Sequence, residues 1–399
     1  MSDFGKLNDY IIGASIKKLS AVECDQRSSN QHELNGTKQM AQYLGKDRIT
    51  YPASFIRLED EEEKIEFLQG SVTWYDARES HPTRSEYRFY YQENPAIALS
   101  SAGDALVVIL KKDGEIIFVS APEGSQSEIE LNELFDESIT DSFKSFDFTE
   151  NNEELTITKR FILEEVGFEL NANFGKDYLE IIESKFGSLA FPTTKEFSQL
   201  ARDTSGELAD FENVDEAIIN WWDTEEAMFK QLEATIINDR LKTGFQDADE
   251  FLSFSQSIRQ RRYARAGRAL ENHLACLFET SKINFSWGQK TENNKTPDFI
   301  FPNIESYKDP GFSSDKLTML GVKTTCKDRW RQVLTEADRI NEKHLFTLQP
   351  RISTNQTNEM QDFNLQLVVP KAIKDTYTNN QQNWLWDLEH LVAHLSSLQ

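Results

Sequence analysis

The sequence predicts a multidomain protein with a β-rich part at the N-terminus and an α/β part at the C-terminus. Its 399 residues exceed the roughly 100–200 residues of one domain. Short apolar runs bounded by Asp, Gly and Pro occupy the first 125 residues, whereas strand-like runs alternate with helical periodicity after residue 280. We therefore expect a domain at 1–150, an acidic connector at 151–187 and a second domain at 188–399.

The composition is that of a folded protein from a reducing compartment. Hydrophobic residues make up 38% and charged residues 28%, which separates the chain from disordered proteins. No apolar run approaches the roughly 20 residues that cross a bilayer, and no secretory signal is visible at the N-terminus. The three cysteines lack metal-ligand spacing. These features predict a cytoplasmic protein with no membrane partner.

The net charge of −24 argues against simple non-specific affinity for DNA, because DNA phosphates attract Lys and Arg. The charge is unevenly distributed, however. Arginines cluster within residues 259–268, and a second basic group follows at 323–331. Local basic surfaces on an acidic body can bind DNA, although with less long-range steering.

Strands are predicted in the N-terminal part at residues 71–75, 87–91, 105–110 and 115–120. Between the last two lies an Asp113-Gly114 pair, which predicts a hairpin turn. Several short strands at this spacing are typical of a barrel or a sandwich. The connector carries partial helical periodicity at residues 153–169.

The C-terminal part is predicted to be helical from 188 to 280 and to contain a sheet beyond it. Apolar residues recur at three- and four-residue spacing in 214–232 and 248–257. Strand patterns follow at 297–301, 317–324, 344–348 and 365–369. Helices separate some of these strands, which favours an α/β sheet.

Two residues at the ends of these strands have the chemistry of a metal-dependent site. Asp298 heads one strand behind Pro297, and Lys323 ends the next, where a lysine needs an open cleft or a partner charge. Carboxylates hold Mg²⁺, which neutralises charge on a scissile phosphate, and a lysine can orient the attacking water. A capped strand followed by a surface lysine is the plain alternative, because Pro-Asp and Val-Lys pairs are common by chance.

The usual nuclease pattern, PD…(D/E)-x-K, places a second acid two residues before the lysine, on the same strand face. Here that position is Gly321, which has no side chain. We expect Glu336 to replace the missing acid, because the apolar spacing of 331–340 predicts a helix that can pack on the strand. Such a helix would direct Glu336 toward the metal.

The C-terminal half closely resembles the catalytic half of EcoRII-type (type IIE) restriction endonucleases. The segments that carry the resemblance are 265–267, 270–271, 295–302, 321–334, 336–338 and 344–349. The resemblance implies a PD-(D/E)XK restriction-endonuclease-like domain in which a displaced glutamate accounts for Gly321. It also implies that Asp298 and Glu336 are metal ligands and that Lys323 is the catalytic lysine.

The same resemblance implies two further residues of the catalytic site. Glu271 matches an acid that supports the metal site, although pairing of an exposed helical glutamate with Arg268 is an equal alternative. Tyr307 falls where the family has an active-site tyrosine.

Lys327, Asp328 and Arg329 match the base-reading segment of the family. Arginine can read guanine O6 and N7, and aspartate can accept a hydrogen bond from cytosine N4. A solvated charged loop is the alternative. We also expect Arg262 and Arg265 to contact DNA phosphates.

The N-terminal half resembles the effector-DNA domain of this family, a pseudobarrel similar to the DNA-binding domain of plant transcription factors. The resemblance is carried by residues 16–21, 30–33, 73–78 and 83–88. Arg84, Glu86 and Arg88 alternate, so we expect them on one face of a strand. They form either a salt network or, together with His32 and Arg78, a surface that binds effector DNA. We favour DNA contact.

The resemblance implies a type II restriction endonuclease that makes Mg²⁺-dependent double-strand cuts at a short near-palindromic site, CCWGG or a related one. The resemblance also implies that the N-terminal domain binds effector DNA and autoinhibits the nuclease, and that the protein is a homodimer. The alternatives are a non-catalytic, sequence-specific DNA-binding protein on the same scaffold and a structural or interaction protein. Metal-dependent cleavage separates the enzyme from both.

Overall fold

The computed structural model describes residues 4–24, 32–60, 65–150, 153–172, 175–206, 213–326 and 329–399. The chain falls into two compact units, Met1–Leu170 and Asn171–Gln399. The segment 151–187, expected to be a connector, is divided between these units. Within the described ranges, none of the helices combines the length and apolarity that a membrane crossing requires.

The N-terminal unit contains an eight-stranded sheet. Its strands are β1 (Ile11–Lys18), β2 (Glu33–Asn35), β3 (Ile49–Arg57), β4 (Ile65–Asp76), β5 (Tyr87–Tyr91), β6 (Ala105–Lys111), β7 (Ile116–Ala121) and β8 (Lys144–Asp147). They lie in the order β2-β5-β4-β3-β7-β6-β1-β8, and all neighbours are antiparallel except β3 and β7. The helices described in this unit are α1 (Ala21–Cys24), α2 (Ala41–Leu44), α3 (Pro95–Ala98), α4 (Gln126–Leu134) and α5 (Ile157–Glu165).

The hairpin of β6 and β7 shows why the sequence forms this sheet. Residues 105–110 and 116–121 are all buried, so both faces of the two strands are covered. The Gly114 N–H donates to the Lys111 carbonyl at 3.1 Å, and Gly114 has a φ of +89°, a conformation that favours glycine. The predicted hairpin is confirmed, and so is the β-rich character of this part. Closure into a pseudobarrel stays a prediction.

The core of the N-terminal unit is rich in aromatic side chains. Trp74 on β4, Phe89 on β5 and Phe118 on β7 are completely buried. The ring centroids of Trp74 and Phe89 are 4.8 Å apart, and those of Phe89 and Phe118 are 5.4 Å apart. These contacts tie three strands of the sheet together.

The C-terminal unit combines helices with a five-stranded mixed sheet. Its strands are β9 (Ser286–Trp287), β10 (Phe299–Phe301), β11 (Thr318–Lys323), β12 (Lys343–Thr347) and β13 (Leu365–Val368). Its helices are α6 (Leu179–Phe186), α7 (Thr194–Ser205), α8 (Val214–Thr243), α9 (Ala248–Thr280), α10 (Ile304–Lys308), α11 (Trp330–Val333), α12 (Thr354–Asp362), α13 (Lys371–Lys374), α14 (Asn379–Trp384) and α15 (Leu388–Leu398). Neighbours β9, β10 and β11 are antiparallel, whereas β11, β12 and β13 are parallel. The predicted α/β sheet is confirmed.

The two longest helices of this unit, α8 and α9, have clear chemical boundaries. Gly244 follows α8 with a φ of +80°, which ends the helix. The carboxylate of Asp247 then accepts a hydrogen bond from the Glu250 N–H at 2.8 Å and caps the start of α9. Both helices are longer than the periodic segments 214–232 and 248–257 that predicted them.

The pairing of β10 with β11 brings the predicted site residues together. Phe299 pairs with Leu320 and Phe301 with Thr318, so Asp298, one residue before β10, lies opposite Gly321. Lys323 ends β11 at the same edge. In an antiparallel pair the start of one strand adjoins the end of the other. The strand register therefore places the aspartate beside the lysine.

Candidate active site

Asp298 and Lys323 form the centre of the candidate site. Asp298 Oδ2 accepts the Val322 N–H at 2.6 Å and lies 3.4 Å from Lys323 Nζ. Both side chains are about one fifth exposed, at 19% and 21%. The backbone hydrogen bond fixes the carboxylate relative to β11, while the partial exposure leaves it accessible. A fixed, accessible carboxylate beside a lysine is the geometry that metal-assisted hydrolysis requires.

Gly321 has no side chain, and α11 packs directly on it. A Cβ atom at Gly321 would lie only 2.9 Å from Val333 Cγ2 and 3.1 Å from Val333 Cγ1. Separations this short force neighbouring atoms to move. An acidic side chain at the position where the usual pattern has one would therefore displace Val333. The same close packing brings the segment that follows α11 to the edge of β11.

Glu336 lies in that following segment, on a turn. The helix predicted over 331–340 is wrong beyond Val333, where α11 ends. The N–H of Glu336 bonds to the Val333 carbonyl at 3.1 Å, and Ala337 has a φ of +50°, which a continuing helix does not allow. Nevertheless, Glu336 is close enough to Asp298 and Lys323 to interact electrostatically with both. Burial and the Asp298 charge raise the pKa of Glu336 to about 7, while Lys323 lowers it.

Lys343, which the sequence did not single out, supports this turn. Its ammonium is buried and donates to the Ile340 carbonyl at 2.8 Å and to the Ala337 carbonyl at 3.5 Å. Burial lowers the pKa of Lys343, and the neighbouring carboxylates of Asp338 and Glu336 raise it. Lys343 thus closes the end of the segment that carries Glu336.

Glu271 reaches the same site from α9. Its Oε2 atom accepts from the Trp287 indole N–H at 2.8 Å and from Arg268 at 3.1 Å. Burial is the largest cause that raises the pKa of Glu271, and the Asp298 charge raises it further. The pairing with Arg268 that we considered as an alternative is present. However, the Glu271 side chain is only 14% exposed, so it is not a solvated surface residue.

The acidic side chains present fit a magnesium ion. Among the residues that the structure describes, no three His, Cys, Asp or Glu side chains converge to hold a metal by themselves. Mg²⁺ is usually bound through one or two carboxylates, with waters and substrate phosphate completing its shell. Asp298 and Glu336 provide that number, and the charge of Asp298 disfavours ionisation of Glu336 in the absence of a cation.

Tyr307 is buried and faces a different carboxylate, that of Glu292. Its hydroxyl donates to Glu292 at 2.6 Å and accepts from the Arg339 N–H at 3.3 Å. Burial and the Glu292 carboxylate raise the pKa of Tyr307 above its usual range. The role predicted for this tyrosine stays a prediction.

Of the three residues predicted to read bases, the structure describes Arg329. Lys327 and Asp328 lie outside the described residues. Arg329 is exposed, and its guanidinium donates to the Thr325 carbonyl at 2.8 Å. On the other side, the Cys326 N–H donates at 2.5 Å to the buried side-chain oxygen of Gln349, which the sequence did not single out.

The two arginines predicted to contact phosphates pair with acids of α8. Arg265 is buried, forms an ion pair with Glu226, and its guanidinium lies 4.3 Å from the Phe229 ring centroid. Its predicted phosphate contact is therefore corrected, because the side chain is enclosed by helix packing. The Arg262 side chain is 41% exposed, although its guanidinium donates a hydrogen bond to the Glu233 carboxylate at 2.8 Å. Its phosphate contact stays a prediction.

The residues predicted to bind effector DNA form a salt network in the N-terminal unit. Arg88 pairs with Glu33 at 2.7 Å and also with Glu86, which pairs in turn with Arg78 at 2.5 Å. His32 packs edge-on against Tyr91, with ring centroids 6.1 Å apart. The salt network that we had ranked second is thus present. Arg78 and Arg88 stay partly exposed in this network, and their contact with DNA stays a prediction.

The strand predicted to carry Arg84, Glu86 and Arg88 begins later than expected. Because β5 begins at Tyr87, Arg88 is the one member of the three within it. The Asp76 carboxylate accepts from the N–H of Arg78 at 2.9 Å and from that of Glu86 at 2.7 Å, which closes the loop before β5. The prediction of a single strand face is therefore wrong.

A shallow cleft of about 550 Å³ adjoins this loop. The side chains and backbone that line it are Arg48, Tyr75, Asp76, Ala77, Arg78, Glu79, Ser80, His81 and Pro82. The guanidinium of Arg48 lies 4.9 Å from the Tyr75 ring centroid. Neither Arg48 nor His81 was singled out in the sequence, because neither is part of a motif.

Comparison with known proteins places the candidate site within a recognised domain. Residues 229–392 match the family model described as EcoRII C terminal. The chain is 39% identical over 211 residues to the type II restriction enzyme EcoRII of Escherichia coli, covering 53% of this chain and 52% of that protein. It is 30% identical over 135 residues to the type II restriction enzyme SsoII of Shigella sonnei, covering 31% and 43%. The chain thus spans about half the length of the curated relatives it matches.

The similarity to solved structures is weaker than the similarity to these sequences. A metal-depleted Ecl18kI in complex with uncleaved, modified DNA has a TM-score of 0.44 at 21% identity, covering 55% of this chain and 82% of that one. A PspGI–substrate DNA complex has a TM-score of 0.43 at 15% identity, covering 52% and 93%. Scores below 0.5 do not establish a common fold. The resemblance to EcoRII-type restriction enzymes is confirmed by the family match and the curated relatives.

Proposed function

We propose that this chain, whose residues 229–392 match the EcoRII C-terminal domain, is a type II site-specific deoxyribonuclease that makes Mg²⁺-dependent double-strand cuts. The observation that supports the proposal is the convergence of Asp298, Lys323 and Glu336 at one edge of the sheet, inside the matched region. The target we propose is a short near-palindromic site, CCWGG or a related one.

The proposed mechanism assigns a task to each of these side chains. Asp298 and Glu336 would hold the ion, and Lys323 would orient the attacking water and stabilise the negative charge that develops on the phosphate. Glu271 supports the same carboxylate cluster from α9. When bound, Mg²⁺ neutralises charge on the scissile phosphate and on the leaving oxygen.

The direct test is digestion of plasmids that carry one, two or three CCWGG sites, with Mg²⁺ or with EDTA. We expect discrete fragments only with Mg²⁺. The Lys323→Ala variant should lose at least about 100-fold in rate, as is usual for removal of a group that stabilises transition-state charge. Specific binding of duplex DNA without any cutting would favour the alternative, a non-catalytic DNA-binding protein on the same scaffold.

We further propose that the N-terminal unit binds a second copy of the site and thereby relieves inhibition of the nuclease. The support is the resemblance of residues 73–78 and 83–88 to an effector-DNA domain, together with the partly exposed Arg78 and Arg88. A short duplex with the site, added to full-length protein and a one-site plasmid, should stimulate cutting. A duplex that lacks the site is the control, and equal rates with both would contradict the proposal.

The DNA partner and the assembly follow from the same proposal. Cleavage of both strands at a near-palindrome suits a homodimer, because two-fold symmetric sites match two-fold symmetric proteins. Sedimentation of the purified protein tests this, and a monomer at the concentrations that cut DNA would contradict it.

A further inference from the structure

Trp287 is held in a fixed orientation beside the candidate site. It lies on β9 opposite Phe299 of β10, and the two rings stack with centroids 5.9 Å apart and planes 18° apart. The next residue, Gly288, donates its N–H to the Asp298 carbonyl at 3.0 Å. Strand pairing and ring stacking therefore locate the indole relative to Asp298.

The indole N–H is directed at an acid on another element. It donates to Glu271 Oε2 at 2.8 Å, across the gap between β9 and α9. The second donor to this oxygen, Arg268, lies on the same helix as Glu271 and is 60% exposed. An exposed arginine on one helix cannot fix a carboxylate relative to the sheet, whereas the indole is attached to the sheet itself.

We propose that Trp287 is a positioning residue, whose indole N–H fixes the Glu271 carboxylate against Asp298 and Lys323 and so preorganises the cation site. This inference rests on the proposed nuclease function. Groups that orient the acids around a metal commonly change metal affinity or activity by about 10–100-fold when removed. The competing interpretation is that Trp287 only packs on Phe299, in which case the ring matters and the N–H does not.

The Trp287→Phe variant separates these two interpretations, because it keeps an aromatic ring and removes the donor. We expect it to weaken Mn²⁺ binding to the full-length protein about tenfold or more, measured by electron paramagnetic resonance without DNA. The Mg²⁺ concentration for half-maximal cleavage should rise by a similar factor. Trp386→Phe is the matched control, because Trp386 is also half-buried but stacks on His390, at 4.3 Å.

A double-mutant cycle tests whether Trp287 acts through Glu271. In a Glu271→Ala background, Trp287→Phe should cause no further loss of Mn²⁺ affinity, because the indole has no carboxylate left to position. A purely structural defect would add to the first change. A thermal midpoint near that of the wild type shows that Trp287→Phe is folded.

Three outcomes overturn the inference: wild-type Mn²⁺ affinity in Trp287→Phe, additive losses in the double variant, or no Mn²⁺ binding by the wild-type protein. The proposed function fails in a different way, namely by absence of Mg²⁺-dependent cutting of any plasmid or genomic DNA. The Mn²⁺ measurements remain decisive for Trp287 in that case, because they do not depend on cleavage.

Discussion

For Glu336, the residues that we propose to hold a cation destabilise the protein when the cation is absent. Burial and the charge of Asp298 raise the pKa of Glu336 in the folded protein to about 7, above the ordinary value of a glutamate in the unfolded chain. Between these two values the folded state binds more protons than the unfolded state. Its free energy of unfolding therefore falls as the pH rises through this range, and the penalty is complete above about pH 7.

This linkage predicts that Glu336→Gln stabilises the metal-free protein. At about pH 8 in EDTA, urea denaturation should give a free energy of unfolding larger than that of the wild type by about 1–3 kcal/mol. At about pH 4.5 the difference should be small, because the wild-type acid is then protonated as well. Cleavage should be lost at either pH. A variant that is less stable than the wild type at pH 8 would contradict the assignment.

At the scale of elements, the contact between α11 and β11 decides where the second acid comes from. Val333 lies against Gly321, so the strand has no room for the acid of the usual pattern, and the turn beyond α11 supplies Glu336 instead. The glycine at position 321 and the turn that carries Glu336 thus depend on the same contact between α11 and β11.

Introducing the missing acid should therefore damage the site. We expect Gly321→Asp to lower the free energy of unfolding by about 1–3 kcal/mol, because the new side chain displaces Val333. Cleavage should fall, because the Glu336 turn moves with α11. The double variant Gly321→Asp, Val333→Ala should recover part of the stability in urea denaturation. Full activity in the single variant would contradict the prediction, because it would show that the site does not need α11 to pack on Gly321.

The loop that leads to the predicted base-reading residues depends on Gln349. Replacing Gln349 by Leu leaves the buried Cys326 N–H without its acceptor, at a cost of about 1–3 kcal/mol. We expect weaker discrimination between CCWGG and duplexes with one substituted base, measured as a ratio of cleavage rates. Gln361→Leu, an exposed change on α12, should leave this ratio unchanged.

The elements that the sequence predicted well are those with strong local patterns. The Asp-Gly hairpin and the strand that ends at Lys323 are carried by continuous apolar runs next to turn residues. The turn after Val333 was missed because a positive φ at Ala337 interrupts an apolar spacing that otherwise indicates a helix. Trp287 and Gln349 were missed for another reason. Their partners lie 16 and 23 residues away in the sequence, and such contacts leave no local signal.

In the molecule as a whole, which has a net charge of −24, many arginines already pair with acidic side chains. The sequence alone therefore does not show which arginines are available to contact DNA. Clustered arginines suggested a phosphate-binding surface, but Arg265 is enclosed by Glu226 and Phe229, and Arg88 pairs with two glutamates. A cluster in sequence does not reveal which cations are already neutralised. The β-rich character of the first unit and the α/β sheet of the second were predictable from patterns, whereas the exposure of each cation was not.

The N-terminal network gives a prediction for the full-length protein. Arg88→Ala should reduce the stimulation of one-site cleavage by a second-site duplex about tenfold, because loss of one base- or phosphate-reading arginine costs on the order of 1–3 kcal/mol. Basal cleavage of the one-site plasmid without added duplex should be unchanged, because it does not depend on effector binding. Direct titration of fluorescent duplex measures the loss of binding. Arg48→Ala, on the neighbouring cleft, shows whether the surface extends beyond the network.

The two proposed metal ligands are held by different kinds of local structure. Asp298 adjoins paired strands, whereas Glu336 lies on a turn closed by Lys343 and a few backbone hydrogen bonds. Such turns open locally at a lower free energy than sheets do. Mild denaturant should therefore abolish the proposed cleavage activity while the tryptophan fluorescence of the folded unit is still native. Amide hydrogen exchange at residues 334–340 would be faster than in β11, so the protein would lose its second carboxylate before it loses its fold.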